Sequence, residues 1–129
     1  AGFSDYLEDK VLKHVFGGSA YTAPGTLYVA LYTVAPTDTG GGTEVSGGGY
    51  TRKTAAFTVS GTNPTQASNT AAIEYPTATA NYGTVVAVGI FDASSSGNLM
   101  AYANLTSSKV VSTGDVFRFN AGDLDITLA

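Results

Sequence analysis

The stretch at residues 26–33, Thr-Leu-Tyr-Val-Ala-Leu-Tyr-Thr, decides the fold class of this chain. Side chains alternate between the two faces of a strand, so each face receives three apolar side chains: Leu27, Val29 and Leu31 on one, and Tyr28, Ala30 and Tyr32 on the other. Residues 84–91 repeat the pattern, with Val85, Ala87 and Phe91 opposite Val86, Val88 and Ile90. Strands that are apolar on both faces are typical of a central sheet covered on both sides by a helix, a second layer or a neighbouring subunit.

Further strands are predicted around this pair, at residues 50–59, 71–75, 99–104, 109–112, 116–119 and 124–128. Between them lie reversals rich in Gly, Asn and Asp, residues that tolerate the positive φ of tight turns. About eight short strands with frequent turns favour an all-β architecture. The sequence therefore predicts a mainly β fold, a β-sandwich or jelly-roll-like single domain over residues 1–129, with one N-terminal α-helix.

The single helix is predicted within residues 1–18. Ser4 or Asp5 can cap its first turn, and the pair Gly17 and Gly18 ends it. One apolar stripe, which we expect to roof the two doubly apolar strands, holds Phe3, Leu7, Val11 and Val15.

Leu12 and Phe16 lie off this stripe, so the apolar surface of the helix is wider than one sheet can cover. Either the segment at residues 19–23 folds back over them, or they bind another subunit, and the sequence leaves both open. Phe3, Leu12 and Phe16 are therefore the candidate residues of a subunit interface.

Residues 35–49 are rich in Gly and poor in large apolar side chains. Segments of this length without secondary structure are usually functional or disordered. We expect a loop or arm that is mobile in the free protein and ordered by a partner, with a mobile surface loop of no special role as the alternative.

Composition excludes several partners. Acidic residues outnumber basic ones 10 to 6, for a net charge of −4, and the basic residues are scattered, which argues against nucleic acid. There is no Cys for disulfides or thiolate metal sites. No apolar run approaches the roughly 20 residues needed to span a bilayer, so no membrane association is predicted.

No catalytic, cofactor-binding or metal-binding residue is predicted. His14 is the only His, and a structural role is favoured because a metal site needs several converging ligands. Asp123 and Asp125 have the spacing to share one strand face and a cation, but a turn explains them better. Glu74 and Asp92 form a carboxylate pair only if the fold brings them together, which nothing in the sequence indicates.

Several segments in order resemble a widespread family of small structural proteins of tailed bacteriophages. The residues that carry the resemblance span nearly the whole chain: 4–8 with Gly17, 26–33 followed by 35–38, 48–52, 75–79, 89–93 and 122–124. Members are often labelled tail-fibre proteins, and others are similar to capsid cement (decoration) proteins.

The resemblance implies a virion protein made in the host bacterial cytoplasm. As a cement subunit it would bind the outer capsid surface, clamp the major capsid protein and associate with copies of itself. The resemblance to decorating proteins favours a homotrimer for this chain. The compact chain favours this role over the alternative of a tail-fibre or tail-adaptor subunit that binds a receptor. No enzyme activity is implied.

Overall fold

The computed structural model describes residues 2 to 128, which form one helix and eleven strands. The helix, α1, spans Asp5–Val15. The strands are β1 (Gly2–Phe3), β2 (Leu27–Val34), β3 (Thr43–Glu44), β4 (Lys53–Ala55), β5 (Phe57–Ser60), β6 (Thr65–Asn69), β7 (Ile73–Glu74), β8 (Gly83–Phe91), β9 (Leu99–Val111), β10 (Arg118–Phe119) and β11 (Asp125–Leu128). The mainly β class with one N-terminal helix is confirmed.

The largest sheet is antiparallel, with the strand order β1-β9-β8-β2-β3 and with β4 paired to the first residues of β2. Its centre is the pair β2 and β8, the two strands that are apolar on both faces. Smaller sheets, β10-β7 and β11-β6-β5, supply the second layer. This strand order does not by itself establish the jelly-roll connectivity, so that finer description stays a prediction.

The main core lies between the large sheet and the smaller sheets. Val29 and Leu31 of β2 are fully buried there, and Tyr75 is 1% exposed at its centre. The Tyr75 ring stacks on Tyr50, and its hydroxyl donates to the Val29 carbonyl oxygen at 2.8 Å. The layers are therefore joined by polar as well as apolar contacts.

An irregularity in the pairing of β8 with β9 corrects the predicted alternation of β8. The pairing of β8 with β9 shifts register between Val85 and Ala87, so that Val85 joins the main core and Val86 faces the opposite side. The prediction placed these two residues the other way round. Residue 86 stands opposite residues 105–108 of β9, and such an irregularity changes which face the side chains take without leaving a mark in a period-two pattern.

Strand boundaries differ from the prediction in three places. The predicted strands at 99–104 and 109–112 are one long strand, β9, whose pairing with β8 skips residues 105–108. The predicted strand at 50–59 divides near Ala56 into β4 and β5, which pair in different sheets. Strand β6 was not predicted, because its Thr, Gln and Ser residues carry little apolar pattern.

The Gly-rich segment at residues 35–49 is better anchored than its composition indicated. Strand β3 within it pairs with β2, and the side chain of Val45 is buried in the main core. The expectation of a segment without apolar anchors is therefore wrong, since one well-placed Val and a two-residue strand fix its second half.

The prediction that α1 roofs the central strands is also wrong. No residue of α1 is buried, and the helix packs along the β1-β9 edge. The outer face of the large sheet carries a second buried cluster that includes Tyr32, Phe91 and Leu99. Arg52 lies over the Phe91 ring, and loops at residues 38–41 and 97–98 border the cluster.

Candidate subunit interface

The start of α1 is fixed to the large sheet by Ser4, which is 1% exposed. Its backbone N–H donates to the Met100 carbonyl oxygen at 2.8 Å, and its hydroxyl donates to the Leu99 carbonyl oxygen. The same hydroxyl oxygen accepts from the Leu7 N–H at 3.2 Å, which makes Ser4 the N-cap. Of the two predicted caps, Ser4 is therefore the one that the structure uses.

The far end of α1 projects into solvent, and every residue from 12 to 20 is exposed. Leu12 is 59% exposed, Val15 is 60% exposed and Phe16 is 82% exposed. Leu12 and Phe16 are four residues apart and lie side by side on the helix surface. We call these three side chains the α1 knob.

The chain after α1 does not cover the knob. His14 Nδ1 accepts a hydrogen bond from the Tyr21 N–H at 3.0 Å, and the Tyr21 ring meets Tyr6 edge to face. Tyr21 also contacts the sulfur of Met100. Tyr21 is thus held along α1, by His14 in the last turn and Tyr6 in the first, while Leu12 and Phe16 stay exposed. His14 therefore has a structural contact.

Phe3 occupies a different position from the other two candidate interface residues. It lies in β1, is partly buried and packs against the main core. The structure therefore brings Leu12 and Phe16 together and places Phe3 on the sheet edge at the opposite end of the helix.

The carboxylates that were considered as possible cation ligands, Asp123 and Asp125, have structural partners. Asp123 accepts from the Asn120 N–H at 2.8 Å and precedes β11, so it does not share a strand face with Asp125. Asp125 accepts from Ser68 at 2.6 Å. Among residues 2 to 128 there is no group of three or more His, Cys, Asp or Glu side chains arranged to hold a metal ion.

Glu74 and Asp92 likewise have separate partners. Glu74 forms an ion pair with Arg118 at 3.3 Å, with both side chains more than half exposed. Asp92 accepts from the backbone and side chain of Asn98 at 2.7 and 2.9 Å. Burial raises the pKa of Asp92, but these hydrogen bonds outweigh it and the pKa lies below its usual value. Each carboxylate stabilises its own turn or strand pair.

One polar cluster was not singled out by the sequence reading. Arg52 binds Glu44 through two hydrogen bonds of 2.9 Å and donates to the carbonyl oxygens of Ala93 and Ser96 at 3.0 and 2.8 Å. The Tyr50 hydroxyl donates to the same Glu44 carboxylate at 2.7 Å. Only the fold brings these residues to one place, since the sequence signal is limited to an unremarkable Arg-Lys pair.

Electrostatics in this cluster favour the charged pair. Burial raises the pKa of Glu44, but the hydrogen bonds from Arg52 and Tyr50 outweigh it and hold the pKa below its usual 4.5. Burial and the Glu44 charge raise the pKa of neighbouring Tyr32 to about 12, although Arg52 partly offsets them. The arrangement clamps a loop to the sheet, and both carboxylate oxygens of Glu44 accept hydrogen bonds within it.

Every buried polar side-chain atom of the described residues has a hydrogen-bond partner. Within the same residues no helix has the length and apolar character to cross a membrane. The described residues form a small, mainly β domain whose most exposed large apolar side chain, Phe16, lies at the end of its helix. Exposed apolar surface of this kind is typical of proteins that bind other proteins.

Comparison with protein-family models identifies the family of the chain. Residues 2–127 match the family Gp80, described as podophage GP4 fiber I protein gp80. The chain belongs to this family of phage structural proteins. Comparison with curated proteins gives no match.

Proposed function

We propose that this chain is an attachment subunit of a phage tail fibre, held to neighbouring virion subunits through the α1 knob. The observation that carries the proposal is the match to a phage fibre family over residues 2–127. The finer assignment to the tail rests on the family description, which favours a fibre over the capsid.

The knob supplies a physical means of attachment. Phe16, at 82% exposure, and Leu12, at 59%, gain little from folding of their own chain. Burial of each such side chain against a partner stabilises a complex by about 1.5–3 kcal/mol. Interface cores are also poor in charge, and only 12% of this chain is charged.

A capsid cement subunit that clamps the major capsid protein is the second candidate. The two-layer body of residues 2 to 128, whose one helix is 11 residues long, contains no coiled-coil stalk and favours it. A binder of the assembled shell stabilises that state by mass action, and repeated copies add avidity. Both roles require an apolar contact with another protein, and neither requires a catalytic reaction.

Copy number and position in purified particles separate the two roles. We expect few copies relative to the major capsid protein on a quantitative gel, with gold-labelled antibody at the tail. A copy number comparable to that of the capsid protein, with label over the whole head, would overturn the fibre assignment in favour of cement.

The attachment site is tested separately with the double variant Leu12→Ser, Phe16→Ser. Loss of two apolar contacts should reduce incorporation into particles roughly tenfold or more. Val59→Ser is the matched control, because Val59 is 67% exposed and lies on β5, outside the knob. Equal incorporation of both variants and the natural chain would remove the knob from attachment.

A further inference from the structure

Exposed apolar side chains are concentrated in two places. Seven large apolar residues of the described chain are well exposed: Leu12, Val15, Phe16, Val34, Val59, Val110 and Val116. The first three form the α1 knob. Val110 and Val116 both line one open groove on another part of the molecule.

This groove, which we call the inter-sheet groove, opens between β9 and the chain that carries β10 and β11. Its volume is about 860 Å³, and Val88, Leu105, Phe117 and Leu124 line it. Val110, 69% exposed, and Val116, 47% exposed, add apolar surface that solvent reaches. The groove offers apolar surface for a protruding side chain such as that of Phe16.

The strand that borders the groove also has a free edge. On the side away from β8, β9 is paired among residues 2 to 128 only by the two residues of β1, opposite Ala101 and Tyr102. Edge strands with unpaired backbone groups are ready sites for contact with another chain. The edge from residue 103 onward is therefore available to a partner seated in the groove.

Charges on the two surfaces are complementary. Residues 10–20 carry Lys10, Lys13 and His14 and no acidic residue. Lys13 also pairs with Asp9 at 3.0 Å. The groove is lined by three carboxylates against two cations: Asp115, Asp123 and Asp125 with Lys109 and Arg118. The groove therefore has one net negative charge, while Lys10 remains outside the Asp9–Lys13 ion pair at the end of α1. This one pair of opposite charges can help to set register and partner choice.

The knob and the groove are separate surfaces that share no residue. Helix α1 is fixed at Leu99 and Met100, where β9 begins, whereas Val110 is next to its last residue. Two different surfaces on one chain are the requirement for a heterologous, head-to-tail contact, which closes into a ring or continues as a filament.

We infer that the α1 knob of one copy binds the inter-sheet groove of a second copy of this chain. The inference rests on the proposed function, because it names the partner of the attachment site described there. The contact places Leu12 and Phe16 against Val110 and Val116, with Lys13 close to the acidic groove.

Two variants test the contact by complementation in solution. The knob variant is Leu12→Ser, Phe16→Ser, and the groove variant is Val110→Lys, Val116→Lys, which places positive charge opposite Lys10 and Lys13. We expect the natural chain to associate in analytical ultracentrifugation, and each variant alone to associate roughly tenfold or more weakly. Since all four positions are exposed, the melting temperatures should stay close to that of the natural chain.

A mixture of the two variants should form one-to-one dimers and no larger species. The intact groove of the knob variant meets the intact knob of the groove variant, and the remaining surfaces are both defective. A groove variant that associates normally, or a mixture that stays monomeric while the natural chain associates, would overturn the inference.

The absence of Cys permits a second measurement by disulfide trapping. Oxidation of a mixture of Phe16→Cys and Val116→Cys chains should give the mixed dimer in excess over either homodimer, because a disulfide forms only when the two Cα atoms come within about 7 Å. Dominant Phe16→Cys homodimers would indicate a knob-to-knob contact and overturn the inference.

Failure of the inference is distinguishable from failure of the proposed function. A natural chain that is monomeric at millimolar concentration overturns self-association through the groove. If the knob variant is nevertheless lost from particles, attachment through the knob to a different virion protein stands.

Discussion

Similar apolar side chains are buried between the sheets but exposed on the surface of α1. Leu31 in β2 is fully buried beneath the second layer, whereas Leu12 in α1 is 59% exposed. Tyr75 lies at the centre of an aromatic cluster with Tyr50, Phe117 and Phe119. No residue of α1 is buried. Apolar residues between the sheets therefore stabilise the fold, and those at the end of α1 are free to stabilise a complex.

The largest effect is expected at the centre of the main core. Leu31→Ala should lower the free energy of unfolding by about 2–5 kcal/mol, because it leaves a cavity where the packing is complete. Chemical denaturation measures this loss. Leu31→Met, which nearly conserves volume, should cost less than about 1.5 kcal/mol. If Leu31→Ala lowered the free energy of unfolding by less than about 1.5 kcal/mol, the core would be loosely packed.

A smaller loss is expected where the outer cluster is tightest. A Cβ atom on Gly89 would lie 2.9 Å from both the Leu99 side chain and the Tyr32 ring. Gly89→Ala should therefore cost about 1–3 kcal/mol through overpacking. Gly25→Ala is the control, since no atom lies within 4 Å of its added Cβ. Similar unfolding curves for both variants would contradict the close packing.

The Glu44 clamp should make stability depend on pH. Its pKa is lowered in the folded state, so its contribution is present above the usual value of 4.5 and is lost as the pH falls through the folded pKa. The difference in melting temperature between the natural chain and Glu44→Gln should be largest near neutral pH and shrink in acid.

Glu74→Gln is the control for the clamp. The ion pair of Glu74 with Arg118 is more than half exposed, so its contribution should stay below about 1 kcal/mol. A Glu44→Gln difference that grows in acid would mean that the carboxylate is not held in its charged form.

The smallest effect on stability is expected at the knob. Leu12→Ala should change the free energy of unfolding by no more than about 0.5 kcal/mol, because the side chain has few partners in its own chain. The same substitution should still weaken binding wherever Leu12 is buried by a partner. A loss comparable to that of Leu31→Ala would mean that α1 belongs to the folding core.

The fold class was predictable because the runs of apolar residues in β2 and β8, which make both faces of each strand apolar, are strong local signals. Ser4 was predictable as a cap because capping depends on neighbouring residues alone. The surplus apolar surface that includes Leu12 and Phe16 was predictable because helical periodicity is also local. What covers the outer face was not predictable, since the Arg52 contacts join residues more than 40 positions apart. The division at Ala56 and the irregularity near Val86 depend on pairing partners, which one sequence does not specify.

The attachment of α1 to the body has a mechanical consequence. A pull applied through the knob reaches the large sheet by two routes: through Ser4 and β1 at the start of α1, and through the return segment that leads to β2. No residue of α1 is buried, so the first route depends on the hydrogen bonds of Ser4 and β1. The hydrogen bonds of Ser4 to Leu99 and Met100 therefore hold the start of α1 to the large sheet. Under load this joint is expected to yield first, so that the helix swings away while the core stays folded.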